Sequence, residues 1–199
     1  MSYREQQKVE SRERIVRSAV GRLRDRGLAD ASVAAIMADA GLTVGGFYAH
    51  FSSKEDLAVE AVGRAMSDRR RQFLDLPDED GWRARLRSAL RDYFAETHRD
   101  DVAGRCPMPM AAIDAVRARG TAPTFADEIA KMAAAFETGD AVGPRAPREA
   151  SLGSLALMVG GMILAHATAG TPLSGEILES ASRFGDAALR SLAEGDHAR

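Results

Sequence analysis

The chain has 199 residues, 45% of them hydrophobic and 28% charged, with a formal net charge of −2. That composition can bury the core of one large domain or two small ones, and it excludes a disordered chain and a polycation. A single cysteine, Cys106, excludes an internal disulfide framework and fits a reducing, cytoplasmic setting.

Charge is unevenly spread. Residues 1–54 hold nine Lys or Arg against six Asp or Glu, and residues 55–199 hold eighteen against twenty-three. A basic N-terminal third on an acidic body is compatible with a DNA-facing module. The opening "MSYREQQKVE" has no apolar signal region. The longest apolar stretch, "LGSLALMVGGMILAHATAG", is broken by Ser154, His166 and several glycines. It is expected to be a buried helix rather than a membrane span, and no membrane is expected as a partner.

In chain order, almost everything reads as helix, about nine in all, so the expected class is all-α. The first helix is expected over residues 7–27, with Ile15, Ala19 and Leu23 stacked at four-residue spacing and Val16 and Val20 beside them. Arg12, Arg14, Arg22 and Arg24 take its other faces, and Gly27 can take a left-handed cap. Ser32 is a good N-cap for a short second helix over 33–40, closed at Gly41. Thr43 is the next N-cap, opening a third helix of barely two turns over 44–50. Ser52 with Glu55 forms a Ser-x-x-Glu capping box for a fourth, longer helix over 53–74, which exits at Pro77 and Gly81. Two short helices joined by a tight turn and buttressed by longer ones describe a helix-turn-helix. The expected domain break follows: residues 1–54, then residues 55–199.

The third helix begins "TVGGFYAHF". Gly45 and Gly46 lower helix propensity. They either relieve a crowded helix contact or let a backbone come close to DNA phosphates and bases. Phe47 and Phe51, four apart, face the core, which leaves Tyr48 on the exposed side, able to reach phosphate, sugar or thymine methyl groups. His50 and Lys54 suit phosphate contacts, and Ser32 and Thr43 can place hydroxyls against the DNA backbone.

The stretch "SVAAIMADAGLTVGGFYAHFSSKEDL" closely resembles the DNA-binding domain of the TetR family of bacterial transcriptional repressors. Ser32 matches the hydroxyl that opens the second helix, and Ala40, Gly41 and Leu42 match the turn. Tyr48, His50, Phe51, Lys54 and Leu57 match the remainder. The resemblance covers about residues 12–60 and implies DNA contacts from Ser32, Thr43, Val44, Gly46, Tyr48, His50 and Lys54. It departs from the family pattern at Gly45 and Gly46, where many relatives carry a contacting side chain.

The fifth helix is expected over 82–97 with Trp82, Leu86, Leu90, Tyr93 and Phe94 inward, followed by helices over 110–119 and 123–138 and an irregular "GDAVGPRAPRE". The last two helices, 147–169 and 173–193, are apolar over more surface than one core requires. A homodimer interface of two helices from each subunit would absorb the excess, through Leu152, Leu155, Val159, Ile177, Ala181, Phe184 and Ala188, with Gly160 and Gly161 allowing close packing. An effector cavity is expected from Phe94, Cys106, Met108, Met110, Phe125, Met132, Phe136, Met158, Met162 and His166, because methionines adapt to irregular ligands. The same residues can equally be ordinary core. "GRCPMPM" resembles a "GCP" element that shapes the effector cavity in one branch of the family; Cys106 could instead sense oxidants or electrophiles.

An enzyme is not expected. His50, His98, His166 and His197 have no metal-like spacing, "THRDD" around His98, Asp100 and Asp101 reads as a solvated loop, and neither a metal nor a cofactor is expected. The expected function is a homodimeric repressor that binds a palindromic double-stranded DNA operator and is released by a small apolar or aromatic effector. The rivals are a redox-responsive regulator using Cys106 and a helical protein-interaction dimer with a vestigial DNA head.

Overall fold

The computed structural model describes residues 2–74, 81–95, 105–137 and 146–194. Pro77, the "THRDD" loop, most of "GDAVGPRAPRE" and His197 lie outside the described residues. Among the described residues there is no strand, and the helices are α1 (Tyr3–Arg26), α2 (Val33–Asp39), α3 (Lys54–Leu74), α4 (Trp82–Tyr93), α5 (Met108–Arg117), α6 (Ala122–Glu137), α7 (Arg148–Ala167) and α8 (Pro172–Glu194). Two 3₁₀ segments, Val44–Ala49 and Arg119–Thr121, complete the order. The class is all-α, as the periodicity implies.

The chain divides into two compact units, Met1–Arg69 with Cys106–Glu128, and Arg70–Arg105 with Ile129–Arg199. The first unit is therefore larger than residues 1–54. It takes in most of α3 and all of α5, because α5 packs on α1.

In the first unit, Ile15, Val16, Ala19, Val20 and Leu23 of α1 are buried. The helix starts four residues earlier than expected. Ser2 and Glu5 form a capping box there, with the Glu5 N–H donating to Ser2 Oγ at 3.4 Å and the Ser2 N–H to Glu5 Oε2 at 2.6 Å. Polar side chains of α1 bind α2: Ser18 Oγ donates to the Ile36 carbonyl at 2.9 Å, and Arg22 reaches Asp39 at 2.6 Å and the Ala35 carbonyl at 3.2 Å. Arg12 forms a two-pronged ion pair with Glu60 of α3. Its guanidinium also lies 4.7 Å from the centre of the Phe51 ring.

In the second unit, α4, α7 and α8 pack together. Trp82, Leu86, Leu90, Tyr93 and Phe94 are all buried, as the pattern of α4 implies. Arg87 of α4 pairs with Asp186 of α8, and Asp186 also pairs with Arg190; the Arg190 and Arg87 hydrogen bonds hold its carboxyl below the usual range. α7 is long and apolar enough to cross a membrane by length and composition, with mean hydropathy 1.6, yet Ala150, Ser154, Leu155, Met158, Met162 and Ala165 are buried within this unit.

The two adjacent glycines of α7 have different roles. A Cβ on Gly161 would sit 2.8 Å from Phe94 Cε1 and 3.3 Å from Ala181 Cβ, whereas one on Gly160 would meet open space in this chain. Gly161→Ala should therefore overpack the contact, at a cost of about 1–3 kcal/mol. Gly21→Ala, on α1 where a Cβ meets nothing within 4 Å, should instead raise stability, by about 0.5–1 kcal/mol. Urea melts of the two variants are expected to move in opposite directions; a shift of the same sign for both would refute the packing assignment.

Candidate nucleic-acid interface

Residues 32–54 build one outward face. The Ser32 side chain accepts from the Ala35 N–H at 3.1 Å and starts α2. α2 ends in a Schellman motif, with the Leu42 N–H donating to the Met37 carbonyl at 2.9 Å and the Gly41 N–H to Ala38 at 2.9 Å. Gly41 is required there: its φ is +66°, and an added Cβ would lie 2.6 Å from an Arg14 nitrogen. Arg14 itself donates to the Gly41 carbonyl at 3.2 Å.

After this turn the expected third α-helix is a 3₁₀ segment over Val44–Ala49. Its bonds run three residues back, Gly46 N–H to Thr43 and His50 N–H to Phe47, at 3.1 and 2.9 Å. Two glycines and a length of six residues leave too little to reward a regular α-helical ladder. Thr43 has the extended backbone of an N-cap, but its hydroxyl makes no capping bond. The cap of α3 also differs from the expected one. Helix α3 begins at Lys54, so Ser53 is the N-cap and accepts from the Asp56 N–H at 3.0 Å. Asp56, not Glu55, reaches back to the Ser52 N–H and hydroxyl, at 3.2 Å each.

Phe47 and Phe51 are buried and stack with ring centres 5.7 Å apart, anchoring the segment. Around that anchor Thr43, Val44 and Gly45 are exposed, and Tyr48 is 74% exposed. Neither Gly45 nor Gly46 has a positive φ. A Cβ on Gly45 would meet nothing within 4 Å, and one on Gly46 only Met37 Cε at 3.9 Å. Among the described residues nothing in the fold requires either glycine, and the crowded-contact explanation fails.

His50 is half-buried, and its enclosed Nδ1 has no hydrogen-bond partner among the described residues. Burial lowers its pKa from the ordinary 6.5, and the positive charges of Lys8 and Arg12 lower it further. Lys54 donates from Nζ to the Ala29 carbonyl at 2.6 Å, holding the loop before α2. An ammonium has three donors, so two remain for a phosphate.

The sequence model of the family described as "Bacterial regulatory proteins, tetR family" matches residues 15–61, the segment that builds this face. Solved structures match nearly the whole chain. A TetR transcriptional regulator from Chloroflexus aurantiacus is 25% identical, covers 93% of this chain and 96% of its own, and superposes with a TM-score of 0.65. The TetR-family regulator from Cytophaga hutchinsonii is 17% identical over 92% of this chain and 94% of its own, with a TM-score of 0.64. Reduced NemR from E. coli is 18% identical over 87% and 95%, with a TM-score of 0.67. The chain belongs to the TetR family of bacterial regulatory proteins. No curated protein matches it in sequence. This TetR-family protein is a DNA-binding transcriptional regulator, and its helix-turn-helix is α2, the Gly41 turn and the segment Val44–Ala49.

The residues expected to wall an effector cavity divide between the units of this TetR-family chain. Cys106, Met108, Met110 and Phe125 belong to the first, and Phe94, Met132, Phe136, Met158, Met162 and His166 to the second. Cys106, Met108, Phe94, Met132, Phe136, Met158 and Met162 are buried; Met110, Phe125 and His166 are half-buried. In the second unit Phe136 also meets Phe73 edge-on, with ring centres 5.1 Å apart.

The expected dimer residues separate by face. Leu155 is 2% exposed and packs inside the unit, so it does not belong to the outer row. Periodicity could not choose, because α7 is apolar on both sides. The outer row runs through Leu152, Ala156, Gly160 and Leu164, with Val159 half-buried beside it. On α8, Phe184 is 71% exposed and Ala188 exposed, while Ile177 and Ala181 are half-buried. Gly160, Leu164, Ile177, Ala181 and Phe184 line one shallow apolar groove.

Sequence reasoning missed Asp114. It is 4% exposed and accepts hydrogen bonds from the backbone of Leu28 and Ala29. The available signal was a lone acid in the apolar run "MPMAAIDAV".

Two outcomes test this face. Gly45→Ala and Gly46→Ala should leave the urea midpoint unchanged or higher while weakening DNA binding; loss of stability in either would return the glycines to a structural role. His50 titrates below its unfolded value, so the unfolded chain takes up the proton first. Its contribution is fully present above about pH 6.5 and is lost as pH falls toward the lower folded pKa. His50→Gln should flatten that acid-side loss in a pH series of urea midpoints, and an unchanged slope would contradict the assignment.

Proposed function

We propose that this regulator is a homodimeric repressor of palindromic operator DNA, released when a small apolar or aromatic effector occupies its C-terminal helices. The observation that carries the DNA half is the pairing of two glycines the fold does not need with an exposed Thr43, Val44 and Tyr48 around them. A surface without Cβ atoms lets a phosphate or base edge approach the backbone closely, toward the Val44 and Gly45 N–H groups, since that of Gly46 is taken by the Thr43 carbonyl. Tyr48 supplies a hydroxyl for phosphate and a ring for thymine methyl groups, and Val44 adds an apolar contact in the major groove. Ser32 and the N-terminus of α2 face the backbone of the duplex, and His50 and Lys54 add cationic or donor contacts to phosphate. With no side chain on Gly45 or Gly46, base discrimination falls to Thr43, Val44 and Tyr48 together with DNA shape.

The dimer half is supported by the outer row of α7 and by Phe184. An exposed phenylalanine beside Leu164 and the open Gly160 is an apolar surface of the kind a two-fold partner covers. Two recognition segments about 34–36 Å apart would then read the halves of a palindrome. The effector half is supported by the buried Phe94, Met132, Phe136, Met158 and Met162 of the second unit. Effector binding there would reorient α3, whose N-terminus follows the recognition segment directly, and the operator would be released by differential affinity between two states. The burial of Cys106 favours its role in shaping the cavity over reaction with oxidants.

Selection of bound duplexes from a random pool should return an inverted repeat, and Tyr48→Ala should weaken its binding with dimerisation intact. Recovery of only non-palindromic DNA would reject the dimeric operator. Phe184→Arg should turn the dimer into a monomer by analytical ultracentrifugation. In a gel-shift titration, a compound that binds without changing operator affinity would reject the release mechanism.

A further inference from the structure

The loop from Gly27 to Ala31, between α1 and α2, is held on both edges of its backbone. From α5, the buried carboxylate of Asp114 accepts from the Leu28 N–H at 2.5 Å through one oxygen and from the Ala29 N–H at 3.2 Å through the other. One helical turn on, Arg117 donates two hydrogen bonds to Asp30, at 2.8 and 3.2 Å. From α3, Lys54 donates to the Ala29 carbonyl. Gly27 makes the approach possible: its φ is +83°, and an added Cβ would lie 2.7 Å from Asp114 Oδ1. Its N–H still closes α1 on the Leu23 carbonyl at 3.2 Å, but its ψ of 171° is not that of the expected left-handed cap, so the chain leaves the helix extended, toward α5.

We infer that Asp114 is a positioning residue for DNA binding, fixing the loop that sets where Ser32 and the N-terminus of α2 stand. Ser32 follows Ala29 by three residues, and α2 in turn packs on the 3₁₀ segment. A shift of Leu28 and Ala29 therefore passes to both parts of the DNA-facing surface. The chemistry demands a carboxylate, because two N–H groups meet two acceptor oxygens. An amide would offer one acceptor and turn its NH₂ against the second N–H. The Arg117–Asp30 pair is exposed, and such pairs contribute little. A cavity of about 330 Å³, bounded by Leu28, Ala29, Lys54, Glu55, Asp114 and Thr121, adjoins the clasp.

The inference rests on the DNA-binding reading. Its test uses full-length protein and a duplex recovered from a random pool by selection with the wild type, well below the melting transition of every variant. Asp114→Asn should bind that duplex at least about fivefold more weakly, with faster amide hydrogen exchange at Leu28 and Ala29 and an unchanged oligomeric state. Arg117→Met should stay within about twofold of wild type. Ser18→Ala is the control for simple destabilisation, since it removes a hydrogen bond between α1 and α2 away from the clasp. If Ser18→Ala loses as much affinity for the same fall in melting temperature, or if Asp114→Asn binds like wild type, the inference is overturned. Should Asp114→Asn not fold, Gly27→Ala displaces the same carboxylate from the other side, and wild-type affinity in that variant overturns it equally. Failure of the wild type to select any duplex would remove the DNA-binding reading itself, an outcome distinct from unchanged affinity in a variant.

Discussion

Six residues of 3₁₀ structure cannot hold a shape in water, because a helix that short has almost no bonds to offset the cost of ordering its backbone. What Val44–Ala49 presents outward therefore depends on how Phe47 and Phe51 are seated. Both rings are buried, they stack on each other, and Arg12 covers Phe51 from α1. Arg12 is itself fixed by Glu60 of α3. Two helices far apart in sequence thus hold one aromatic pair, and the pair holds the segment. The exposed positions between the rings can then be chosen for what lies outside the chain.

That division of labour explains the glycines. Had the anchor been weaker, Gly45 and Gly46 would have cost more than the segment could tolerate. With the anchor in place their cost is absorbed, and their lack of Cβ atoms leaves the backbone there unshielded, although the Gly46 N–H is itself taken by the Thr43 carbonyl. The same argument applies to His50. Its ring is packed at the end of the segment beside two cationic side chains, which keeps it neutral more readily than a free imidazole. A phosphate arriving nearby would reverse the balance of charge around it.

The sequence was informative where a pattern has one physical meaning. Five buried positions of α1, the inward face of α4, the Ser32 cap and the Gly41 turn could each be read from spacing and residue type. It was uninformative where two meanings share one pattern. Leu155 and Leu152 are both apolar positions on a helix apolar all round, and only packing shows that one faces in and the other out. Ser52 and Ser53 are both competent caps, and the choice depends on where α3 begins. Glycine next to glycine in α7 conceals opposite roles, one against Phe94 and one facing open space. The exposed face of Thr43, Val44, Gly45 and Tyr48 was legible because its residues lie within one short stretch. Asp114 was not, because its partners are more than eighty positions away in the chain and an acid in an apolar helix does not name the amides it will meet.

The position of Asp114 also bears on how a signal could travel. A regulator released by an effector needs an element with two arrangements, biased by both ligands. The loop before α2 has the necessary parts, since its N–H groups are held by α5 and one of its carbonyls by α3. α5 begins at the Cys106–Pro107–Met108–Pro109 element, where proline at two positions limits the ways the first turn can deform. From that end a helix of ten residues leads to Asp114, so a displacement of its first turn would reach the carboxylate without crossing a loop. Because a carboxylate bonding two amides loses both together when it withdraws, the grip on the loop is closer to a catch than to a spring. Hydrogen bonds of that kind favour two discrete states, which is the property a switch requires and a merely tight contact lacks.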